Sequence, residues 1–352
     1  MVTISTSSGE SLTRYFVVVS GENLALARAE IDALLRLLTD DFRVQWRGKF
    51  AEIDCAYDPT NHLINRAALV MECGIILAKQ HSSYFMELDV SRDIFEEHVL
   101  GHRSFAVRTL CLDCEVDIPW RRRLEARLGD WVRKSTTLSV NLSAPDMTIL
   151  VILGREQSYI CISVRSLLRR ELAARTPSRR EFFHPSMMNV TLARIMCNLA
   201  CVMPGDVVLD PFCGGGGILC EAALIGSRVL GSDLNWRLLT GAVTNIRGIS
   251  QEYSMVQGNI FSLPFSKCDS LVTDPPDGRA SSTRGAEARI LVQALVDSIP
   301  QLVVRSGERV CICASSRMRV QQIVQDAGLR VGKHLSIRVH RGLVRDLVTV
   351  II

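Results

Sequence analysis

The stretch VVLDPFCGGGGILCEAALIG, residues 207–226, decides the fold of the C-terminal half of the chain. A short apolar run ends at Asp210, and glycines 214–217 lead directly into a pattern that predicts a helix. Glycine lets backbone N–H groups approach a ligand closely, and a helix N-terminus carries partial positive charge. The stretch therefore predicts a strand, a ligand-binding turn and a helix in succession.

The turn only partly matches the dinucleotide fingerprint GxGxxG. Gly214 and Gly216 fit it, but position 219 is a leucine. On this turn alone, two ligands remain open: the pyrophosphate of a dinucleotide, and the carboxylate end of a cofactor that joins a nucleoside to an amino acid. Asp210 at the strand end also suits a cofactor with a cationic centre and an amino group.

From residue 181 onward, strand patterns alternate regularly with helix patterns. Such alternation predicts an α/β fold with a doubly wound, mainly parallel sheet, and ligands then bind outside the carboxyl ends of the strands. The candidate strands are VVLDPF (207–212), RVLGSDL (228–234), SMVQGN (254–259), CDSLVTDPP (268–276), RVCICAS (309–315), LSIRV (335–339) and DLVTVII (346–352).

Polar residues stand at four successive strand ends. Asp233 lies at the tip of the second strand, 233 − 210 = 23 residues after Asp210, where such folds hydrogen-bond a ribose diol. The alternative for Asp233 is a helix N-cap. Asn259 ends the third strand, where its side-chain carbonyl suits an adenine amino group. Together the four ends predict one nucleoside-binding crevice.

The fourth strand ends in TDPP, residues 273–276. The exocyclic amine of a nucleobase is a poor nucleophile because its lone pair is delocalised into the ring. A carboxylate, which only accepts hydrogen bonds, and a nearby backbone carbonyl localise that lone pair toward an electrophilic methyl group. Pro275 and Pro276 restrict the backbone and pre-position these acceptors. Asp274 is therefore predicted to anchor an amine that awaits methylation.

The motifs DPFCGGGGI, SDL, GNI and TDPP, in this order and preceded by REFFHPSMMNVTLARIMCNLA, resemble those of the THUMP-domain tRNA methyltransferases. The branch that they resemble most is the archaeal tRNA (guanine(10)-N2)-dimethyltransferases. In the N-terminal half, YFVVVSGEN resembles the ferredoxin-like opening strand of that family. RSFAVR and SVNLSAPDMTILVIL resemble its THUMP strands.

This resemblance implies S-adenosylmethionine as the cofactor, the guanine N2 amine of tRNA as the target, and a small zinc-containing activator protein as a partner. The expected state is therefore a monomer or, with the activator, a heterodimer. It places the segment before the first methyltransferase helix beside the cofactor. For His184 in that segment, a general base and a helix cap are the two interpretations. The matched motifs add these cofactor-binding residues: Phe183, His184, Pro185, Phe212, Cys213, Leu234 and Ile260.

The chain departs from the family pattern at three positions. Gly215 stands where the family has threonine, and Asn259 stands where it prefers aspartate. Asp277 replaces the aromatic residue that stacks on the target base, a contact worth about 1–3 kcal/mol. Phe183 is a candidate substitute for that ring. Our hypothesis is that Asp277 supplies a further acceptor near the amine; the alternative is a solvent-facing turn residue.

Four parts are expected along the chain: a ferredoxin-like domain at 1–60, a THUMP domain at 61–165, an interdomain connector at 166–180 and the methyltransferase domain at 181–352. Within the second part, HLINRAALVMECGIILAKQ (62–80) is interpreted as a helix. A strand (SFAVRTLCL), a helix (RRRLEARLGDWVRK) and two strands (TILVILG and SYICISV) are predicted to follow it.

RNA contact is predicted for two basic clusters, because arginines neutralise phosphates and folded RNA is read largely through its shape and backbone. The alternative is that these arginines lie on solvent-exposed helix faces, where Glu125, Asp130 and Glu171 balance their charge. Since the target amine lies in a paired region, the base must be extruded into the pocket. The candidate RNA-binding residues are Arg121, Arg122, Arg123, Arg169, Arg170, Arg179 and Arg180.

Composition supports a globular protein and adds no metal site. Hydrophobic residues make up 47% of the chain, the formal charge is only +4, and the start MVTISTSSGESLTR does not resemble a signal peptide. The 12 cysteines are scattered, which suits reduced thiols, and the lone CxxC at Cys111 and Cys114 is interpreted as a structural pair. A cytoplasmic location is expected.

Three functions remain open. The leading one is methylation of guanine N2 in tRNA, with guanosine 10 as the expected target and one or two methyl groups added. The second is methylation of a different tRNA guanosine or base amine. The third is a catalytically degenerate protein that binds RNA without methylating it, and binding of S-adenosylmethionine separates it from the other two.

Overall fold

The computed structural model describes residues 13–82, 92–276, 285–340 and 343–352. None of the described helices combines the length and the apolar character that crossing a bilayer requires. The chain divides into two compact units. The first contains residues up to Leu24, Leu38–Asn65 and Val70–Leu167, and the second contains Ala25–Leu37, Arg66–Leu69 and Leu168–Ile352.

The first unit contains a mixed sheet of eight strands. These are β1 (Arg14–Val19), β2 (Phe42–Arg47), β3 (Phe50–Cys55), β4 (Val70–His81), β5 (Ser104–Cys111), β6 (Ser139–Val140), β7 (Met147–Leu153) and β8 (Gln157–Arg165). Their order is β2-β3-β1-β4-β8-β7-β5-β6. Strand β5 is parallel to β6 and β7, whereas the other pairs are antiparallel.

Four helices lie in the described residues of the N-terminal half. The longest covers one part of the sheet with a core that includes Leu124, Val132, Phe105 and Ile149. Its N-terminus is capped by Asp117, whose carboxylate accepts from the Trp120 amide at 2.6 Å. The helices are α1 (Leu24–Arg36), α2 (Thr60–Arg66), α3 (Arg92–Val99) and α4 (Ile118–Ser135).

The helix predicted at 62–80 is wrong beyond residue 66. Helix α2 ends at Arg66, and the apolar run that follows is strand β4, which pairs with β1 on one edge and β8 on the other. A central strand is partly or fully buried along most of its length, so the sequence does not alternate and resembles a buried helix. The tertiary pairing decides between the two.

Strands from both predicted N-terminal domains share this one sheet. Strands β1–β3 come from residues 1–60, and β4–β8 come from residues 61–165. The boundary expected at residue 60 therefore falls inside a continuous hydrogen-bonded structure. The ferredoxin-like and THUMP assignments stay predictions.

The second unit contains the predicted Rossmann-like sheet. Its strands are β9 (Val207–Asp210), β10 (Arg228–Asp233), β11 (Tyr253–Gln257), β12 (Ser270–Thr273), β13 (Glu308–Ser315), β14 (Arg330–His340) and β15 (Leu343–Ile351). The order is β11-β10-β9-β12-β13-β15-β14. The first five strands are parallel, and β15 runs antiparallel to both β13 and β14. All seven strands predicted from the sequence are confirmed.

The helices of the second unit cover both faces of the sheet. A core on one face brings together Leu209, Leu271, Val292 and Ile312. Besides α1, these helices are α5 (Leu168–Ala174), α6 (Val190–Leu199), α7 (Gly217–Ile225), α8 (Trp236–Arg247), α9 (Gly285–Leu302) and α10 (Val320–Asp326).

The segment 166–180, expected to be a connector, folds against the second unit from Leu168 onward. Glu221 in α7 is fully buried, and Arg175 donates to both of its carboxylate oxygens at 3.0 Å. Arg180 and Arg194 lie at 3.6 and 3.1 Å from the same carboxylate. A buried carboxylate needs such partners, so this cluster fixes the segment in place.

Candidate active site

The site lies where the strand order reverses. Strands β9 and β12 are neighbours, and their connections lead to opposite sides of the sheet, which opens a crevice at their carboxyl ends. The Thr273 hydroxyl donates to Asp210 Oδ1 at 2.6 Å and ties the two strand ends together. The glycine turn after β9 and the DPP motif after β12 therefore open onto the same crevice.

The glycine turn has the conformation that the sequence predicts. Gly214 and Gly216 have φ angles of +50° and +80°, a region that strongly favours glycine. A Cβ built on Gly214 meets no atom within 4 Å, whereas one on Gly216 lies 3.1 Å from Ala242. Gly214 thus borders open space, and Gly216 packs against α8.

Phe212 and Cys213 connect the start of the turn to the core and to strand β10. Phe212 packs against the core, and the Cys213 amide donates to the Ser232 carbonyl at 2.9 Å. Burial raises the pKa of the Cys213 thiol. Cys213 is therefore a packing residue rather than an ionised nucleophile.

Asp210 is a buried carboxyl group with neutral partners. It accepts from Thr273 Oγ1 and from the Phe212 amide at 3.1 Å. Burial raises its pKa to about 7, although both hydrogen bonds oppose the shift. A cationic ligand group near Asp210 would favour the ionised form.

Asp233 holds the turn and the next helix at once. Its carboxylate accepts from the Gly214 amide at 2.9 Å and from the Asn235 amide at 2.8 Å. The helix N-cap of α8 is Asn235, so the N-cap alternative for Asp233 is wrong. Leu234 follows it and is 68% exposed, which leaves an apolar surface beside the strand tip.

Asn259 is partly exposed to solvent, whereas Ile260 is buried. Asn259 Oδ1 accepts from the Phe261 amide at 3.3 Å, so this oxygen stabilises a local turn. Ile260 is buried in the core with Leu209 and Leu271. Direct contact between Ile260 and a cofactor stays a prediction.

The segment before α6 is held by one side chain that sequence reasoning missed. Asn245 in α8 accepts from the Phe182 amide at 3.0 Å and donates to the Phe182 and Gly215 carbonyls at 3.1 and 2.9 Å. It therefore joins this segment to the glycine turn. A mid-helix asparagine carries no motif, so no signal in the sequence identified it.

Within this segment, Phe183 is 52% exposed and Pro185 is also exposed. His184 Nδ1 lies 2.7 Å from the Ser186 hydroxyl and accepts from the Ser186 amide at 3.2 Å. Asn189 caps helix α6, so the prediction that His184 caps a helix is wrong. The imidazole instead stabilises a tight turn through its bonds to Ser186, several residues before helix α6 begins.

Asp274 does not present a free carboxylate to the crevice. Both of its oxygens accept from the Arg345 guanidinium on β15, Oδ2 from Nη1 at 2.9 Å and Oδ1 from Nη2. The two side chains are 18% and 17% exposed. Pro275 is buried and Pro276 is partly buried, whereas Asp277 lies outside the described residues. Arg345 was missed because it lies 71 residues from its partner.

The predicted RNA-binding arginines fall into two groups. Arg122, Arg123, Arg170 and Arg179 are exposed. Arg121 donates to the Thr109 hydroxyl and carbonyl at 2.8 and 2.9 Å. Arg180 pairs with Glu221 instead, and Arg169 is partly buried. The exposed four keep their guanidinium groups in solvent, where a phosphate has access to them.

Comparisons with known proteins agree with this geometry. The model of the RMKL-like methyltransferase domain family matches residues 177–346. The tRNA (guanine(10)-N2)-dimethyltransferase of Methanothermobacter thermautotrophicus is 31% identical over 333 residues, covering 94% of this chain and 96% of that protein. The protein of that name from Methanocaldococcus jannaschii is 30% identical over 265 residues, 70% of each chain.

The crystal structure of SMU.472 complexed with SAH has a TM-score of 0.51 at 16% identity and covers 97% of this chain and 98% of that chain. This likeness shows the fold. The identity over nearly the full length of the Methanothermobacter protein shows more than the fold, and it confirms the resemblance found in the motifs. The chain belongs to the tRNA (guanine(10)-N2)-dimethyltransferase family.

Proposed function

We propose that this chain methylates the exocyclic N2 amine of a guanosine in tRNA, at position 10, with S-adenosylmethionine as the methyl donor. One observation carries the proposal. The glycine turn and the DPP motif open onto one crevice at the switch point of the sheet. The chain that carries them is 31% identical, over 94% of its own length, to a tRNA (guanine(10)-N2)-dimethyltransferase.

The residues of the turn fit this cofactor. Open space lies over Gly214, where any side chain would project. The carboxylate of Asp233 stands at the tip of β10 beside the turn, the position for a ribose diol. Asp210 adds a carboxyl group whose ionised form a cationic ligand favours. When bound, S-adenosylmethionine supplies an electrophilic methyl group on a sulfonium.

On the other side of the crevice, Asp274 and the Pro275 carbonyl accept the N–H groups of the amine. Accepting these bonds localises the nitrogen lone pair in the direction of the methyl group. Orientation and fixed electrostatics supply most of the acceleration, and the amine loses its proton after transfer, so no strong base is required. Asp277, whose place in the structure is not described, remains a candidate for an additional acceptor.

The first unit positions the RNA in this proposal. The exposed Arg122 and Arg123 of α4 neutralise backbone phosphates, and the exposed Arg170 and Arg179 of the second unit belong to the second basic cluster. The target guanosine leaves its helix and enters the crevice. A small zinc-containing activator, a monomeric or heterodimeric state and a cytoplasmic location belong to the same proposal.

The test is methyl transfer to an unmodified tRNA transcript and to a matched transcript with adenosine at position 10. We expect labelled N2-methyl- or N2,N2-dimethylguanosine from the first transcript and at least a 10-fold lower yield from the second. Methylation of another nucleoside would support the alternative target. A calorimetric titration that shows no binding of S-adenosylmethionine would instead indicate a degenerate RNA-binding protein.

A further inference from the structure

We propose that Arg345 is a positioning residue of the methyl-transfer site, which holds the Asp274 carboxylate ionised and in one orientation toward the guanine amine. The inference rests on the proposed function, because the amine is the group that Asp274 accepts from. The inference adds a residue outside the sequence motifs, because Arg345 lies on β15, whereas the glycine turn follows β9 and the DPP motif follows β12.

The guanidinium is held by three hydrogen bonds that determine its orientation. Nη1 and Nη2 each donate to one oxygen of Asp274, and Nη2 also donates to the Cys313 carbonyl at 3.2 Å. Cys313 lies on β13, the strand between β12 and β15. A planar, bidentate pair leaves the carboxylate little freedom to rotate.

The pair does not exhaust the acceptors of Asp274. A carboxylate has about four lone-pair positions, and the guanidinium uses one on each oxygen. Guanine offers adjacent donors on its N2 amine and N1. The substrate therefore needs no displacement of Arg345, and Asp274 accepts from both partners at once.

A purely structural pairing explains less of this arrangement. Arg345 Nε is buried, and no acceptor bonds to it among the described residues. Buried donors that serve stability alone are nearly always satisfied, because an unpaired one is costly. An incompletely satisfied pair at a strand end beside the crevice is expected where function sets the geometry.

Arg345 is also the charged group that contacts Asp274 among the described residues. On the neighbouring elements, Asp210 bonds to Thr273, and Asp346 bonds to Ser336 and lies 3.2 Å from His334. Burial raises the pKa of the Cys313 thiol, so it stays neutral. The cation favours the ionised carboxylate, and without it Asp274 would protonate at a higher pH and lose acceptor capacity.

Three variants test the inference: Arg345→Met, Arg345→Lys and the control Arg338→Met, which changes an exposed arginine on β14. We expect Arg345→Met to lower kcat about 100-fold, with the KM for tRNA and the Kd for S-adenosylmethionine within about 3-fold of wild type. The acid limb of its pH profile should move to higher pH. Arg345→Lys should restore the limb and part of kcat, and Arg338→Met should change neither.

A second readout is independent of catalysis. Carboxyl ¹³C NMR, assigned with Asp274→Asn, should show a higher pKa for Asp274 in Arg345→Met than in wild type. If wild type does not methylate guanosine, the proposed function fails, while the NMR titration still decides the role of Arg345. An unchanged Asp274 titration overturns the inference. Higher activity of folded Arg345→Met also overturns it, because the guanidinium would then inhibit the reaction by occupying the Asp274 carboxylate.

Discussion

The glycine turn on the cofactor side of the crevice is held by backbone amides close in sequence, whereas the base side depends on a distant ion pair. Asp210, Gly214 and Asp233 lie within 24 residues of one another; Asp210 accepts from the Phe212 amide, and Asp233 accepts from the Gly214 amide. Asp274 is held by Arg345, 71 residues away. Local turns require only glycine and a carboxylate, but a carboxylate that must keep its charge and direction at a strand end needs a cation, which another strand supplies.

The largest effect that we expect is on the base side. Asp274→Asn should lower kcat about 1,000-fold, because the amide loses the charge and one acceptor, while calorimetry should show nearly unchanged binding of S-adenosylmethionine. If Asp274 and Arg345 act as a unit, the double variant Asp274→Asn/Arg345→Met should be little worse than Asp274→Asn. Loss of cofactor binding in Asp274→Asn would remove the distinction between the two sides.

The second prediction concerns the pH dependence of stability on the cofactor side. The folded-state pKa of Asp210, about 7, lies above its ordinary value of 3.8, so between these values the folded protein binds more protons than the unfolded chain. The free energy of unfolding should therefore fall as pH rises through this window, by up to about 4 kcal/mol from this group.

Denaturant unfolding of wild type and Asp210→Asn from pH 4 to 8 measures this contribution as the difference between the two curves. Thr273→Val is the matched control, since it removes a hydrogen bond that lowers the pKa of Asp210 and should move the midpoint higher. Parallel curves for wild type and Asp210→Asn would contradict the prediction.

A third prediction tests the local construction of the turn. Asp233→Ala removes the acceptor for the Gly214 and Asn235 amides and for the ribose diol. The Kd for S-adenosylmethionine should rise about 10- to 100-fold, as expected for hydrogen bonds to a charged group. Methyl transfer at saturating cofactor should change far less, and an equal loss of kcat would show that the two sides are coupled.

The smallest effect is expected at Gly215. A Cβ at this position lies 2.9 Å from Met187 Sδ, the end of a flexible side chain, so Gly215→Thr should destabilise by only about 1 kcal/mol. In the double variant Gly215→Thr/Met187→Ala, the threonine that the family carries there should no longer lower the free energy of unfolding. A thermal unfolding comparison of the two variants decides whether Met187 fills the space of the missing side chain.

The amino-acid sequence by itself determined the elements of the second unit and the cofactor side of its site. Strand patterns, glycines 214–217 and carboxylates at strand ends are local signals, because their backbone conformations and burial follow from a few neighbouring residues. Helix α4 and strands β5, β7 and β8 of the first unit are predictable for the same reason.

Only the tertiary structure decided the rest. Residues 70–81 are a strand because β1 and β8 pair with both of its edges. Arg121 and Arg180 are committed to Thr109 and Glu221, although their sequence context resembles that of exposed arginines. Asp274 accepts from Arg345 because the sheet order brings their strands together. Such pairings are set by distance in space, which spacing along the chain does not encode.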